Sequence, residues 1–239
     1  MVDNAPPARN LANDDTLTGA FKEVLRNFLK DTDDTLPAQI VSYDRATNLA
    51  VVKPLIALVD TNGVQHPRDP IANVPVFLFG GGGFFQSFNL PAGSLGWIKA
   101  TDRDISLFLQ AFAESAPNTR AFHDFNNAMF FPDVMTGYTI DAEDSEAMVI
   151  QNLTGTVKVS LNDTRVKVTS GASTLTIESA QTTLDSAQVT IEGNLQVNGT
   201  VGATGDVSSD ADVLAGSISL SNHTHSGVQP GSGDTGGPQ

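Results

Sequence analysis

The sequence has no cysteine among its 239 residues. Disulfides and thiolate metal sites are therefore excluded. Positive charge is scarce as well: 13 Lys and Arg stand against 27 Asp and Glu, a formal net charge of -14. A nucleic-acid surface needs a footprint rich in lysine and arginine, so no nucleic-acid partner is expected. Binding to an anionic lipid surface is disfavoured on the same ground. No run approaches the ~18 apolar residues of a spanning helix. The opening MVDNAPPARN lacks the basic and apolar regions of a signal peptide. These absences predict a soluble, acidic protein made in the cytoplasm.

One further absence divides the chain. The 13 Phe, 2 Tyr and 1 Trp all lie at or before Tyr138, and nothing from Thr139 to Gln239 is aromatic. Rings bury ~150–250 Å² each and dominate most globular cores. The two parts of the chain must therefore be stabilised differently.

Residues 1–35 read as a polar arm and a helix. Asp14, Asp15 or Thr16 can cap that helix, which runs to about Lys30, and Leu17, Phe21, Val24, Leu25, Phe28 and Leu29 form one apolar stripe. The stripe suits docking on its own domain, with packing against another subunit as the alternative. Residues 36–140 read as antiparallel β-structure. The strand candidates are AQIVSYD, NLAVVKPLIAL, VPVFLF, SLGWIKA and DISLFL, separated by turn-rich segments. This pattern suits a small closed barrel such as an OB-fold. The Gly80–Phe85 stretch GGGGFF lacks the GK[ST] ending of a phosphate loop. It reads instead as a mobile or interface-forming loop with exposed Phe.

From Leu153 onward apolar and polar residues alternate. Val157/Val159, Val166/Val168 and Leu175/Ile177 recur at a nine-residue interval, and Leu184 continues the first series. Period two indicates strand, and steady renewal indicates a stacked architecture. A single-chain β-helix needs ~18–25 residues per coil, leaving room for only about four coils. Three chains wound about one axis fit better, because strand edges then pair between chains and small β-branched residues fill a narrow core. Residues 141–215 are accordingly expected to form an intertwined trimeric triple-stranded β-helix, and 216–239 a small apex. The fold class is all-β.

The apex segment HTHSGVQPGSGDTGGPQ begins at His223 and holds His225, the second member of the only close histidine pair. At positions i and i+2 of extended chain both rings face one way. In one chain, two nitrogens make a poor metal site, and the pair reads as a solvated polar turn. On a threefold axis His223 and His225 become six imidazoles, a set suited to octahedral Fe(II), Ni(II) or Co(II). With every position filled, such a metal is structural. His66 and His123 have no metal-ligand spacing and read as loop or barrel-surface residues.

GSLGWIKATDRD around Trp97 and NNAMFFPDVMTGY (Asn126–Tyr138) resemble the barrel domains of phage baseplate hubs and spikes. The terminal HTHSGVQPGSGDTGGPQ resembles the tip of the central, membrane-piercing spike proteins of contractile-tailed bacteriophages and R-type pyocins, and is very close to that of the short phi92-type spike. The resemblance implies a homotrimer with an N-terminal OB-fold, a triple-stranded β-helix and an apex. It implies one iron ion per trimer, held by His223 and His225 of each chain. It also implies a barrel attached to baseplate hub and tail tube proteins, and a host outer membrane that is pierced when the tail contracts. The virion is then its location, at the tip of the tail baseplate.

Two rivals fit less well. A hydrolytic tailspike needs two carboxylates across a cleft, ~5–10 Å apart. Asp163, Glu178, Asp185 and Glu192 are scattered, and the shaft has no ring on which a sugar stacks. No enzyme activity is therefore expected. A receptor-binding tail fibre or host-surface adhesin would end in a larger, aromatic-bearing knob.

Overall fold

Thr16 opens the first helix, its Oγ1 accepting a hydrogen bond from the Gly19 N–H at 2.9 Å in the manner of an N-cap. Helix α1 (Leu17–Lys30) follows. The computed structural model describes residues 16–30, 32–60, 62–227 and 231, so the other cap candidates, Asp14 and Asp15, lie outside the described residues. Two compact units are present, one ending at Asp185 and the other starting at Ser186. The expected docking of α1 on its own domain is not realised. Its stripe is open, from Phe28 at 56% exposed to Leu17 at 77%, and Phe28 only grazes Phe122 with ring centroids 6.2 Å apart. The barrel completes its core from its own strands and has no need of the helix.

That barrel is built from β1 (Thr35–Asp44), β2 (Leu49–Pro54), a short hairpin of β3 (Leu58–Val59) and β4 (Gln65–His66), and β5 (Ile71–Pro75). A second hairpin, β6 (Phe79–Gly81) and β7 (Phe84–Gln86), precedes β8 (Leu95–Thr101), helix α2 (Ser106–Ala111) and β9 (Asp124–Pro132). The sheet order is β5-β2-β1-β8-β9. A parallel bridge between Val76 and Phe130 joins its two edges, and the Phe77 N–H donates to Phe130 O at 2.7 Å. The sheet thus nearly closes, in the strand order of an OB-fold. A register shift between Ile40 and Ser42 bends β1, as a bulge does.

Alternation fills the inside with Ala38, Ile40, Ala50, Val52, Val74, Ile98, Ala100, Ala128 and Phe130. Gly96 makes the tightest approach: a Cβ there would meet Phe131 O at 2.3 Å and the Phe130 ring at 2.5 Å. Only glycine lets β8 pass so close. On the outer face, the Trp97 Nε1–H donates to Asp133 Oδ2 at 2.7 Å.

DISLFL is not a strand. It contains most of α2, because Asp104 Oδ1 accepts the Ser106 N–H at 2.9 Å and starts a turn. The strand that closes the barrel is β9. GGGGFF forms the β6–β7 hairpin between two strands, and so has no strand-to-helix phosphate geometry.

After a 3-10 turn at Ala142–Asp144 come β10 (Met148–Gln151), β11 (Val157–Leu161), β12 (Arg165–Ser170), β13 (Ser173–Glu178) and β14 (Thr182–Asp185). In this single chain they pair in sequence as an antiparallel meander. The nine-residue repeat becomes cross-strand pairing, Val159 with Val168 and Leu175 with Leu184. Two apolar rows therefore cross one face: Ile150, Val159, Val168, Leu175 and Leu184, then Met148, Leu161, Val166 and Ile177. Much of that face is open, with Leu184 at 55% and Ile177 at 45% exposed. In the second unit the described strands are β15 (Leu214–Ala215) and β16 (Ile218–Ser219), a hairpin turning through Gly216.

Candidate metal centre

The β15–β16 hairpin delivers the chain to the histidine pair. Asp212 Oδ1 accepts the Val213 N–H at 2.8 Å and the Ser221 N–H at 3.3 Å, bracketing the hairpin. A hydrogen bond from Ser219 leads the interactions that hold the Asp212 carboxyl below its ordinary value. The Asn222 N–H then donates to Ser219 Oγ at 2.9 Å, and the His223 N–H to Ser219 O at 3.1 Å. A tight turn results, with His223 at its end.

His223 Nδ1 lies 3.0 Å from Ser219 O and 3.1 Å from Leu220 O. Both neighbours are acceptors, so Nδ1 carries the proton and donates. Nε2 then keeps its lone pair and is free to ligate, the arrangement typical of metal-binding histidines. The His225 ring stands beside it, centroids 5.1 Å apart at 76°. Among the described residues, the only clustering of three or more His, Asp or Glu ligand atoms is Asp141, Glu143 and Asp144, within 4.8 Å of one another. Among the described residues, the histidine pair has no third ligand of this kind.

The two other histidines sit on the barrel. His66 Nε2 pairs with Asp60 Oδ2 at 3.1 Å across the β3–β4 hairpin, and His123 Nε2 lies 3.4 Å from Asp102 Oδ1. Asp163, Glu178, Asp185 and Glu192 are all exposed. None of the four belongs to the carboxylate cluster.

That cluster escaped the sequence reading. Asp144 is 1% exposed, Lys158 4% and Ser160 0%. Lys158 Nζ donates to Asp141 and, at 2.5 Å, to Asp144 Oδ2; Ser160 Oγ donates to Asp144 Oδ1 at 2.6 Å. Arg165 and Lys167 reach Glu143 at 3.3 and 3.0 Å. Lys158 and Ser160 lower the Asp144 carboxyl, Lys167 lowers Glu143, and the two aspartates raise the Lys158 ammonium. The cluster already contains its cations and locks the 3-10 turn onto the polar face of the β10–β14 sheet. The available signal was the acidic run DAEDSE beside VKVS and RVKV.

The family matches fall on these two regions. The Phage protein Gp138 N-terminal domain matches residues 36–133, the barrel. The GpV Apex motif matches residues 217–239, which include β16 and both histidines. Together they cover half of the chain, in the order barrel, then apex. Both matches are those of the central spike proteins of contractile-tailed phages. This spike protein is accordingly a structural component of the phage tail, and its place is in the virion. A comparison with curated proteins finds no match.

Proposed function

We propose that this chain forms the non-enzymatic homotrimeric spike at the tip of a contractile tail baseplate, where it pierces the host outer membrane when the tail contracts. The observation that carries the reading is an open apolar face preceding a two-histidine apex. The rows on β10–β14 are uncovered in one chain, and Ser186–Val213 carries five valines, Ile191 and Leu195 but no strand. Three chains, winding together over 141–215, cover the rows and give every strand edge a partner. A shaft of small side chains laced between chains is narrow and stiff, because no subunit bends alone.

The residues of the apex fit a metal. His223 and His225 offer two adjacent rings, one with its tautomer set by a backbone carbonyl. Each of three chains supplies that pair to one iron ion within 216–239. When bound, the iron crosslinks the chains and offsets the entropy of ordering glycine-rich backbone, ~1–2 kcal/mol per residue.

Hub and tail tube proteins attach at the other end. Asp33 fixes the exit of α1 against the start of β9, through His123 O at 2.8 Å and Arg68 Nη1 at 2.9 Å. The chain leaves the barrel at the far end of β9, after Pro132. The open stripe of α1 therefore lies by the start of β9, at the opposite end of that strand from the exit after Pro132.

The test is metal analysis of the purified chain together with its molar mass in solution. Three chains per particle and one iron per particle support the proposal. A monomer, or a metal-free trimer, overturns it.

A further inference from the structure

The β6–β7 hairpin is a fixed projection. Gly82 and Gly83 turn it with φ of 60° and 88°, backbone that favours glycine at both positions of a two-residue hairpin. A Cβ on Gly80 would meet Phe84 O at 2.5 Å and Phe85 Cβ at 2.6 Å, so its two strands lie tightly together. Arg45 grips the base, donating to Ser87 Oγ at 2.9 Å and Ser87 O at 3.0 Å. What the hairpin carries is apolar and open: Phe84 is 84% and Phe85 67% exposed. Two rings held in water on a braced hairpin need a receiving surface.

Such a surface lies at the same end of the barrel. An open groove of about 740 Å³ is lined largely by apolar residues, among them Phe88, Leu90, Leu95, Val134, Met135 and Leu153. Leu153 belongs to the turn between β10 and β11, so the groove reaches from the barrel to one end of the sheet with the open apolar face. The hairpin of the same chain does not fill it, since Phe84 and Phe85 remain exposed.

We propose that Phe84 and Phe85 of each copy pack into this groove of the next copy around the threefold axis. The inference rests on the trimer reading and deepens it. Projection and groove are different surfaces of one chain, so their contact is heterologous, and under the threefold rotation of the proposed trimer such a contact closes a ring. Its size also indicates a second copy. The two rings offer ~150–250 Å² each, far below the ~1,200 Å² of a stable interface. The contact therefore has to extend a larger interface, and Leu153 makes it continuous with the face the trimer covers. Its effect is to fix the rotation of each barrel on the shaft.

The absence of cysteine gives a clean test. Phe85→Cys and Val134→Cys alter two open positions, 67% and 55% exposed. The full chain with both substitutions is first sized in solution, then oxidised and run denatured without reductant. A trimer that becomes covalently closed, with the 85–134 link found by peptide mass, is the expected result. A monomer before oxidation overturns the trimer reading itself. A trimer that yields no link, or only links within one chain, overturns the hairpin contact alone. So does a trimer in which Phe21→Cys of α1, rather than Phe85→Cys, crosslinks to Val134→Cys.

Discussion

The Lys158 ammonium lies 2.5 Å from the Asp144 carboxylate, and their side chains are 3% and 0% exposed. A buried pair of this kind is costly to break and of modest net value when both partners are present. The design shows in the geometry: Ser160 and Arg165 share the second carboxylate oxygen, so Asp144 has no lone oxygen. The pair ties the 3-10 turn that follows the barrel to β11.

Replacing either partner leaves the other under-paired: Lys158 keeps Asp141, and Asp144 keeps Ser160 and Arg165. Lys158→Met or Asp144→Leu alone should lower stability by up to about 3–5 kcal/mol, the cost of a fully unpaired buried charge. The double variant should be less unstable than the two losses added, with a coupling of about 1–3 kcal/mol. Denaturant unfolding of the four proteins measures this. Additive losses would mean that the two side chains do not act as a pair.

The same cluster sets a pH window. Asp144 and Glu143 are lowered from ordinary values of 3.8 and 4.5. Their stabilisation is present above those values and is lost as pH falls through the lowered ones. Lys158 is raised from 10.5, so its contribution is complete below that value and is lost only at still higher pH. Stability of the β10–β14 sheet should stay flat from about pH 5 to 10 and fall on the acid side below about pH 4. Thermal unfolding across pH follows it, and Asp144→Asn should flatten the acid limb.

Gly96 tests the barrel. Gly96→Ala puts a methyl group 2.3 Å from the Phe131 carbonyl oxygen, part of a backbone that cannot yield locally. A loss of about 1–3 kcal/mol, the usual cost of overpacking, is expected. Gly81→Ala is the control, with nothing within 4 Å of its Cβ, and should change little. Equal melting temperatures for the two variants would contradict the close approach of β8 to β9.

The barrel was legible because Ala38/Ile40, Ala50/Val52 and Ile98/Ala100 each place two core residues two positions apart, as strand geometry requires. The α2 segment was not, because Ile105, Leu107 and Leu109 alternate as a strand does. A side chain outside that pattern, Asp104, decides the matter by taking the Ser106 N–H. Lys158 and Ser160 look like a solvent face in sequence, and what buries them is a turn 14 to 16 residues earlier. Period two separates two faces and cannot say which one the protein covers. The histidine pair was visible as a pair, whereas the six-ligand set proposed for it needs chains beyond this one.

The proposed iron at the apex makes the sharpest demand on the two histidines. His223 Nδ1 is occupied by Ser219 O, so ligation has to use Nε2, and Ala at this position removes both the ligand and the brace. His223→Ala and His225→Ala should each abolish bound iron, while His66→Ala, whose ring pairs with Asp60 on the barrel, should keep it in full. Molar mass should stay that of three chains in all of them, because in the proposed trimer the shaft, and not the tip, covers the apolar rows. Chelation should reproduce the histidine variants: iron is lost and protease enters between Asn222 and the terminus, with the barrel and β10–β14 intact. Retention of iron by either apex variant would move the metal away from these residues. Dissociation to monomers on chelation would instead make the metal the main bond between chains.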